Sequence, residues 1–128
     1  MDKFVIDAYA WIEYLDGSEK GEVVAEIIEN DENEIFTSSA TVAEVVGKVL
    51  RRNDDIKIAL NHINNFSSIV NLTQEISVLA AQTHFEAKKK VREFGMLDAF
   101  VAATAKKIEA KILTGDKDFK HFKEAVLI

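Results

Sequence analysis

Lys3-Phe4-Val5-Ile6-Asp7 is a short apolar run that ends on an acid. An apolar run this brief, without polar alternation, reads as a buried strand. The period then changes. From Ala8 to Leu15 the apolar residues Trp11, Ile12 and Leu15 recur at helical spacing, and Gly17 closes the segment. A buried strand passing directly into a helix is the unit that recurs along the rest of the chain.

Working outward, Glu22 to Asn30 carries Val23, Val24, Ile27 and Ile28 on one face and predicts a second helix. Glu34-Ile-Phe-Thr37 predicts a strand. Ser39 or Thr41 can cap a helix running to about Arg52, and Asp54 or Asp55 a helix carrying Ile58, Ile63 and Phe66. Ser68 to Leu72 reads as another buried strand. Thr73 caps a longer helix through Ala87, with Gly95 at its end or in the loop beyond. Met96 to Ile108 is helical, Lys111-Ile-Leu-Thr114 is a strand running into Gly115, and Ala125 to Ile128 is a last strand. The alternation predicts an α/β sandwich whose mostly parallel sheet is covered on both faces.

With 128 residues, 48% of them apolar, the chain can bury one real core. No linker, repeat or low-complexity stretch divides residues 1–128, so a single domain is expected. Cysteine is absent, which excludes disulfides, thiolate catalysis and cysteine-based zinc sites. Asp2, Asp7, Glu13 and Asp16 interrupt the N-terminal stretch, unlike a signal peptide, and no uncharged run approaches membrane-spanning length. A soluble protein of the cytoplasm is expected. The net charge of −6 argues against simple electrostatic wrapping of nucleic acid. It does not exclude a nucleic-acid enzyme whose carboxylates hold cations.

The informative property of the acids is their position. Asp7 ends the first strand and Asp116 lies just past the end of the Lys111 strand, on the edge where parallel sheets place ligands. Glu44 and Asp98 fall in the first turns of two helices, which open on that same edge. Each acid alone has an ordinary role: macrodipole partner for Glu44 and Asp98, helix cap for Asp7, turn residue for Asp116. Together they would repel and raise one another's pKa values unless a cation neutralised them. Carboxylates and water suit Mg²⁺ or Mn²⁺ rather than zinc. His62, His84 and His121 show no metal-binding spacing; His121, near Asp116, is at most a substrate contact.

Four motifs in order carry a resemblance that covers essentially the whole chain. They are Phe4-Val-Ile-Asp7-Ala-Tyr-Ala-Trp11-Ile12, Thr37-Ser-Ser-Ala-Thr41-Val-Ala-Glu44-Val45, Met96-Leu-Asp98-Ala-Phe-Val-Ala-Ala-Thr104-Ala105 and Leu113-Thr114-Gly115-Asp116-Lys117-Asp118-Phe119. The sequence resembles the PIN domain, and within it the VapC-type toxin ribonucleases. The resemblance implies a three-layer α/β/α fold and Mg²⁺- or Mn²⁺-dependent cleavage of RNA. It also implies a homodimer and a small antitoxin that blocks the cleft. The family's acids carry over to Asp7, Glu44, Asp98 and Asp116, and Asp118 matches a position that is sometimes acidic. The proline that often precedes the glutamate helix is missing, since the chain contains none; proline is optional there.

On this reading Asp7 and Asp98 ligate a first ion, Asp116 completes the site directly or through water, and Glu44 holds a water or a second ion. Thr114 orients a carboxylate, hydrogen-bonds a phosphate, or simply ends its strand. Gly115 supplies either an unusual φ or a close approach. Among the basic residues, Lys117 and Lys120 flank the fourth motif and are favoured as RNA contacts over the runs at Arg51-Arg52, Lys88 to Arg92 and Lys106-Lys107. Trp11, Ile12, Tyr14 and Leu15 either pack the core or cover a partner. Four rivals stand beside this reading. One is a PIN-domain RNA-processing nuclease outside a toxin–antitoxin system, and another a non-catalytic module with an acidic cleft. A phosphoryl acceptor would explain Asp7 but not the other acids. An aspartyl phosphatase would need an aspartate where Tyr9 stands.

Overall fold

The computed structural model describes residues 2–128. Its centre is β1 (Lys3–Ile6), followed by α1 (Ala8–Asp16), α2 (Glu19–Ile28), β2 (Glu34–Ser38), α3 (Ser39–Arg51), α4 (Ile56–Phe66) and β3 (Ser68–Val70). Then come α5 (Gln74–Ala87), α6 (Met96–Ile108), β4 (Lys111–Thr114), a 3₁₀ turn (Lys117–Phe119) and β5 (Ala125–Leu127). The five strands form one sheet in the order β3-β2-β1-β4-β5, and every neighbouring pair is parallel.

Alternation along the strands feeds two cores. Phe4 and Ile6 of β1 and Leu113 of β4 pack with α1 to α4, around Trp11, Val24, Val45 and Ile63. Val5 and Ile112 point the other way, to Ile76, Ala80, Phe94 and the alanine-rich side of α6. The result is a three-layer α/β/α sandwich, as expected from the apolar strands and intervening helices.

Local signals explain the element boundaries. Gly17 ends α1 at φ +67°, the left-handed conformation that glycine adopts without strain. Asp55 caps α4 and Thr73 caps α5 through side-chain acceptance of backbone N–H groups. Three expectations need correction. The cap of α3 is Ser38 rather than Ser39 or Thr41, so Glu44 lies one turn deeper than the first turn. α2 starts at Glu19, before Glu22, because Ser18 accepts from Gly21 N at 3.0 Å. The strand at Ser68 is three residues long and mostly exposed, not buried: among the described residues β3 is an edge strand, paired with β2 alone. Among the described residues no helix is long and apolar enough to cross a membrane.

Candidate metal centre and active-site cleft

β1 leads through α1 and α2 to β2 on one side, while β4 returns to the other side of β1 after α5 and α6. The strand order therefore reverses between β1 and β4, where open α/β sheets form a crevice outside the carboxyl ends of their strands. A cleft of about 330 Å³ opens there, and Asp7, Glu44, Asp98 and Asp116 all line it.

Three of the four carboxylates accept hydrogen bonds that orient them. Asp7, only 4% exposed, is the residue between β1 and α1. Its Oδ1 accepts from Ala8 N at 2.8 Å and its Oδ2 from the Thr114 hydroxyl at 2.7 Å. That hydroxyl also accepts from Asp116 N at 3.0 Å. Asp98 is the third residue of α6, and its Oδ2 accepts from Gly95 N at 3.1 Å. Asp116 Oδ1 accepts from Asp118 N at 2.9 Å. The ordinary roles of cap and turn are thus filled by the same side chains that meet in the cleft. Glu44 differs: its Oε1 is buried and has no hydrogen-bond partner among the described residues.

The electrostatics follow from burial and crowding. Burial first, then the charges of Asp7, Asp98 and Asp116, raise Glu44 to about 7. Burial likewise raises Asp7 to about 6, with Asp98 and Asp116 adding to the rise and the Thr114 and Ala8 hydrogen bonds opposing it. Asp98 is also raised, by burial and by Asp116 and Asp118, against the Gly95 hydrogen bond. Three acids raised by burial and by their neighbours' charges call for positive charge.

Among the described residues, no three His, Cys, Asp or Glu side chains stand close enough to ligate one ion together. This spacing fits a hard cation that keeps much of its water. Mg²⁺ binds through one or two carboxylates, with waters and substrate phosphates filling its octahedron. The all-oxygen donor set and the orphaned Glu44 oxygen fit that chemistry, and zinc's preference for nitrogen or sulfur ligands does not match.

The other candidates divide clearly. Thr114 is buried and bridges Asp7 to Asp116. Asp118 reaches the site through its backbone N–H and its charge on Asp98. Lys117 and Lys120 lie on and beside the 3₁₀ turn and do not line the cleft. Lys48, Arg51 and Arg52 do line it, and so does Tyr9. Lys48 and Arg51 follow Glu44 by four and seven residues on α3, a helical-face spacing visible in the sequence. Arg52 is paired to Asp16, at 2.8 and 3.1 Å. His121 packs among Phe94 and Phe122, away from the cleft, with both ring nitrogens buried and unpartnered among the described residues. Trp11 and Ile12 are core residues, and the Trp11 indole N–H donates to Thr37 Oγ1 at 3.1 Å, fixing α1 to β2.

The PIN domain family matches residues 4–125, and the chain belongs to that family. Among solved structures, a chain of VapBC2 from Rickettsia felis, bound to a DNA fragment from its promoter, is similar with a TM-score of 0.75 at 16% identity, over 98% of this chain and 97% of that one. A toxin–antitoxin complex from Klebsiella pneumoniae gives 0.74 at 20% identity over 95% and 94%. VapC20 from Mycobacterium tuberculosis, a sarcin–ricin-loop-cleaving toxin, gives 0.74 at 16% identity over 91% and 92%. At these identities the likeness is one of fold. No curated protein sequence matches the chain.

Proposed function

We propose that residues 1–128 act as a single PIN domain with Mg²⁺- or Mn²⁺-dependent endoribonuclease activity, hydrolysing RNA phosphodiester bonds. The observation that carries this reading is the convergence of Asp7, Glu44, Asp98 and Asp116 on one cleft at the carboxyl edge of the sheet. Asp7 and Asp98 would hold the ion directly, and Asp116 would contribute through water. A bound divalent cation supplies Lewis acidity for the attacking water and for the charge that builds on the phosphate.

The chain's own residues do the rest. Thr114 and the Ala8 N–H hold Asp7 in one orientation, and the Gly95 N–H holds Asp98. Glu44 Oε1, without a protein donor among the described residues, accepts a hydrogen bond from the attacking water and orients it. Lys48 and Arg51, on the α3 wall, hold the flanking phosphates.

The finer assignment is the toxin of a VapBC-type toxin–antitoxin pair, homodimeric and cytoplasmic, whose antitoxin blocks the cleft. Its support is the fold shared with VapBC chains and the resemblance of the four motifs. A groove lined by Ile12, Leu15, Val49 and Ile58 adjoins the cleft and could seat an apolar segment of such a partner. The test is RNA cleavage in Mn²⁺, in EDTA, and by Asp7→Asn and Asp98→Asn. Cleavage should require the metal and fall by orders of magnitude in both variants. Activity that survives chelation and both substitutions rejects the reading.

A further inference from the structure

We propose that Tyr9 is the base-stacking platform of the cleft, on which the nucleobase beside the scissile phosphate rests. The inference depends on the nuclease reading and adds a residue that sets how the substrate lies.

Tyr9 sits in the first turn of α1, two residues past Asp7, and lines the same cleft as the acids. The residue is 37% exposed, so core formation does not account for its position. It is nonetheless fixed. A Cβ on Gly115 would fall 2.1 Å from Tyr9 Cε1 and 2.5 Å from Cδ1, so the ring edge lies directly against the backbone that joins Thr114 to Asp116. Gly115 does not have positive φ; close approach of this ring is what its missing side chain permits. At its far end the Tyr9 hydroxyl accepts from Lys20 Nζ at 3.1 Å. With that ammonium 5.3 Å from the ring centre, it sits beyond the hydroxyl end rather than over the ring face.

The ring is therefore held along one edge and at its hydroxyl, against the loop that carries one of the four acids, and Tyr9 stays partly exposed. Lys20 sits at its hydroxyl, and Lys48 and Arg51 line the same cleft. Cations beside a partly exposed aromatic ring suit a polyanion with stacking bases, the common design of single-strand binding grooves. A preformed ring loses little freedom when a base stacks on it.

The test uses the full chain and two probes: a fluorescein-labelled hexaribonucleotide and an abasic oligomer of the same length. Affinity is read by anisotropy in EDTA on an Asp98→Asn background, and KM by cleavage in Mn²⁺ with Asp98 intact. Tyr9→Ala should weaken binding of the base-bearing probe and raise KM by about ten-fold or more, the worth of one stacked base. Tyr9→Phe and Tyr9→Trp keep a ring and should stay within about two-fold of wild type. The abasic probe should not distinguish Tyr9→Ala from wild type. Cleavage with KM and affinity unchanged by Tyr9→Ala overturns the platform alone, as does an equal loss on both probes. A wild-type protein that neither cleaves nor binds RNA overturns the nuclease reading and the platform with it.

Discussion

The Thr114 hydroxyl donates to Asp7 Oδ2 across 2.7 Å, linking the ends of two neighbouring strands that lie 107 residues apart in sequence. The same oxygen accepts from Asp116 N. One buried hydroxyl thus orients the acid after β1 and positions the acid after β4. Groups that orient metal ligands typically matter by about 10- to 100-fold. Thr114→Val keeps the shape and loses both hydrogen bonds. It should lower Mn²⁺ affinity and cleavage rate by about that factor, whereas Thr114→Ser should retain most of both. Metal titration and cleavage assays on the two variants check this.

Glu44 gives a dependence on pH whose sign is fixed. Its folded pKa, about 7, lies above the ordinary carboxylate value of 4.5, and Asp7 behaves likewise, at about 6 against 3.8. The folded protein then binds more protons than the unfolded chain between these values. The site's contribution to stability is greatest below them and is lost as pH rises through about 6 to 7. Without divalent cation, Glu44→Gln should raise the melting temperature at pH 8 by about 2–6 °C and leave it nearly unchanged at pH 4. Added Mg²⁺ should stabilise the wild type more at pH 8 than at pH 5.5. Calorimetry in EDTA and in Mg²⁺ measures both differences.

Lys48 and Arg51 line the cleft, and Lys117 and Lys120 do not. Removing a phosphate contact to a single strand lowers the salt dependence of binding by about 0.7 in log–log slope. The double variant Lys48→Ala/Arg51→Ala should therefore reduce that slope by about 1.4 and raise KM, with a smaller effect on kcat. Lys117→Ala/Lys120→Ala should change the slope less. RNA binding measured across a range of NaCl concentrations separates the two pairs.

Gly21 is where α2 meets α1. A Cβ there would lie 2.0 Å from the carbonyl oxygen of Glu13, a backbone atom that cannot rotate away. Gly21→Ala should destabilise the fold by about 1–3 kcal/mol through overpacking. A lower urea midpoint at unchanged m-value is the expected result.

The legible parts of the chain were those set by local pattern. β1 and β4 announce themselves as apolar runs ending beside acids, and the order of strands and helices follows from the change in period. Sheet position was not legible. Ile69 and Val70 look as apolar as Ile112 and Leu113, yet β3 lies at an edge and is largely exposed, because strand order is settled by long-range pairing. Val23 looked like a core residue on its helix and is 46% exposed. In the site, the acids could be placed on one edge from topology alone. The basic wall was available in the spacing of Glu44, Lys48 and Arg51, but the cluster around the fourth motif drew attention to Lys117 and Lys120. Tyr9 against Gly115 had no sequence signal, since it depends on how α1 leans on the end of β4.

The central claim is that the acidic cleft binds a divalent ion that Asp7 and Asp98 hold directly. Calorimetric titration of Mn²⁺ into chelator-stripped, dialysed protein tests it directly. The account expects one saturable binding event in the wild type, weakened at least about ten-fold by Asp7→Asn and by Asp98→Asn separately. Wild-type protein that takes up no ion, or variants that bind it as tightly as wild type, would contradict the account.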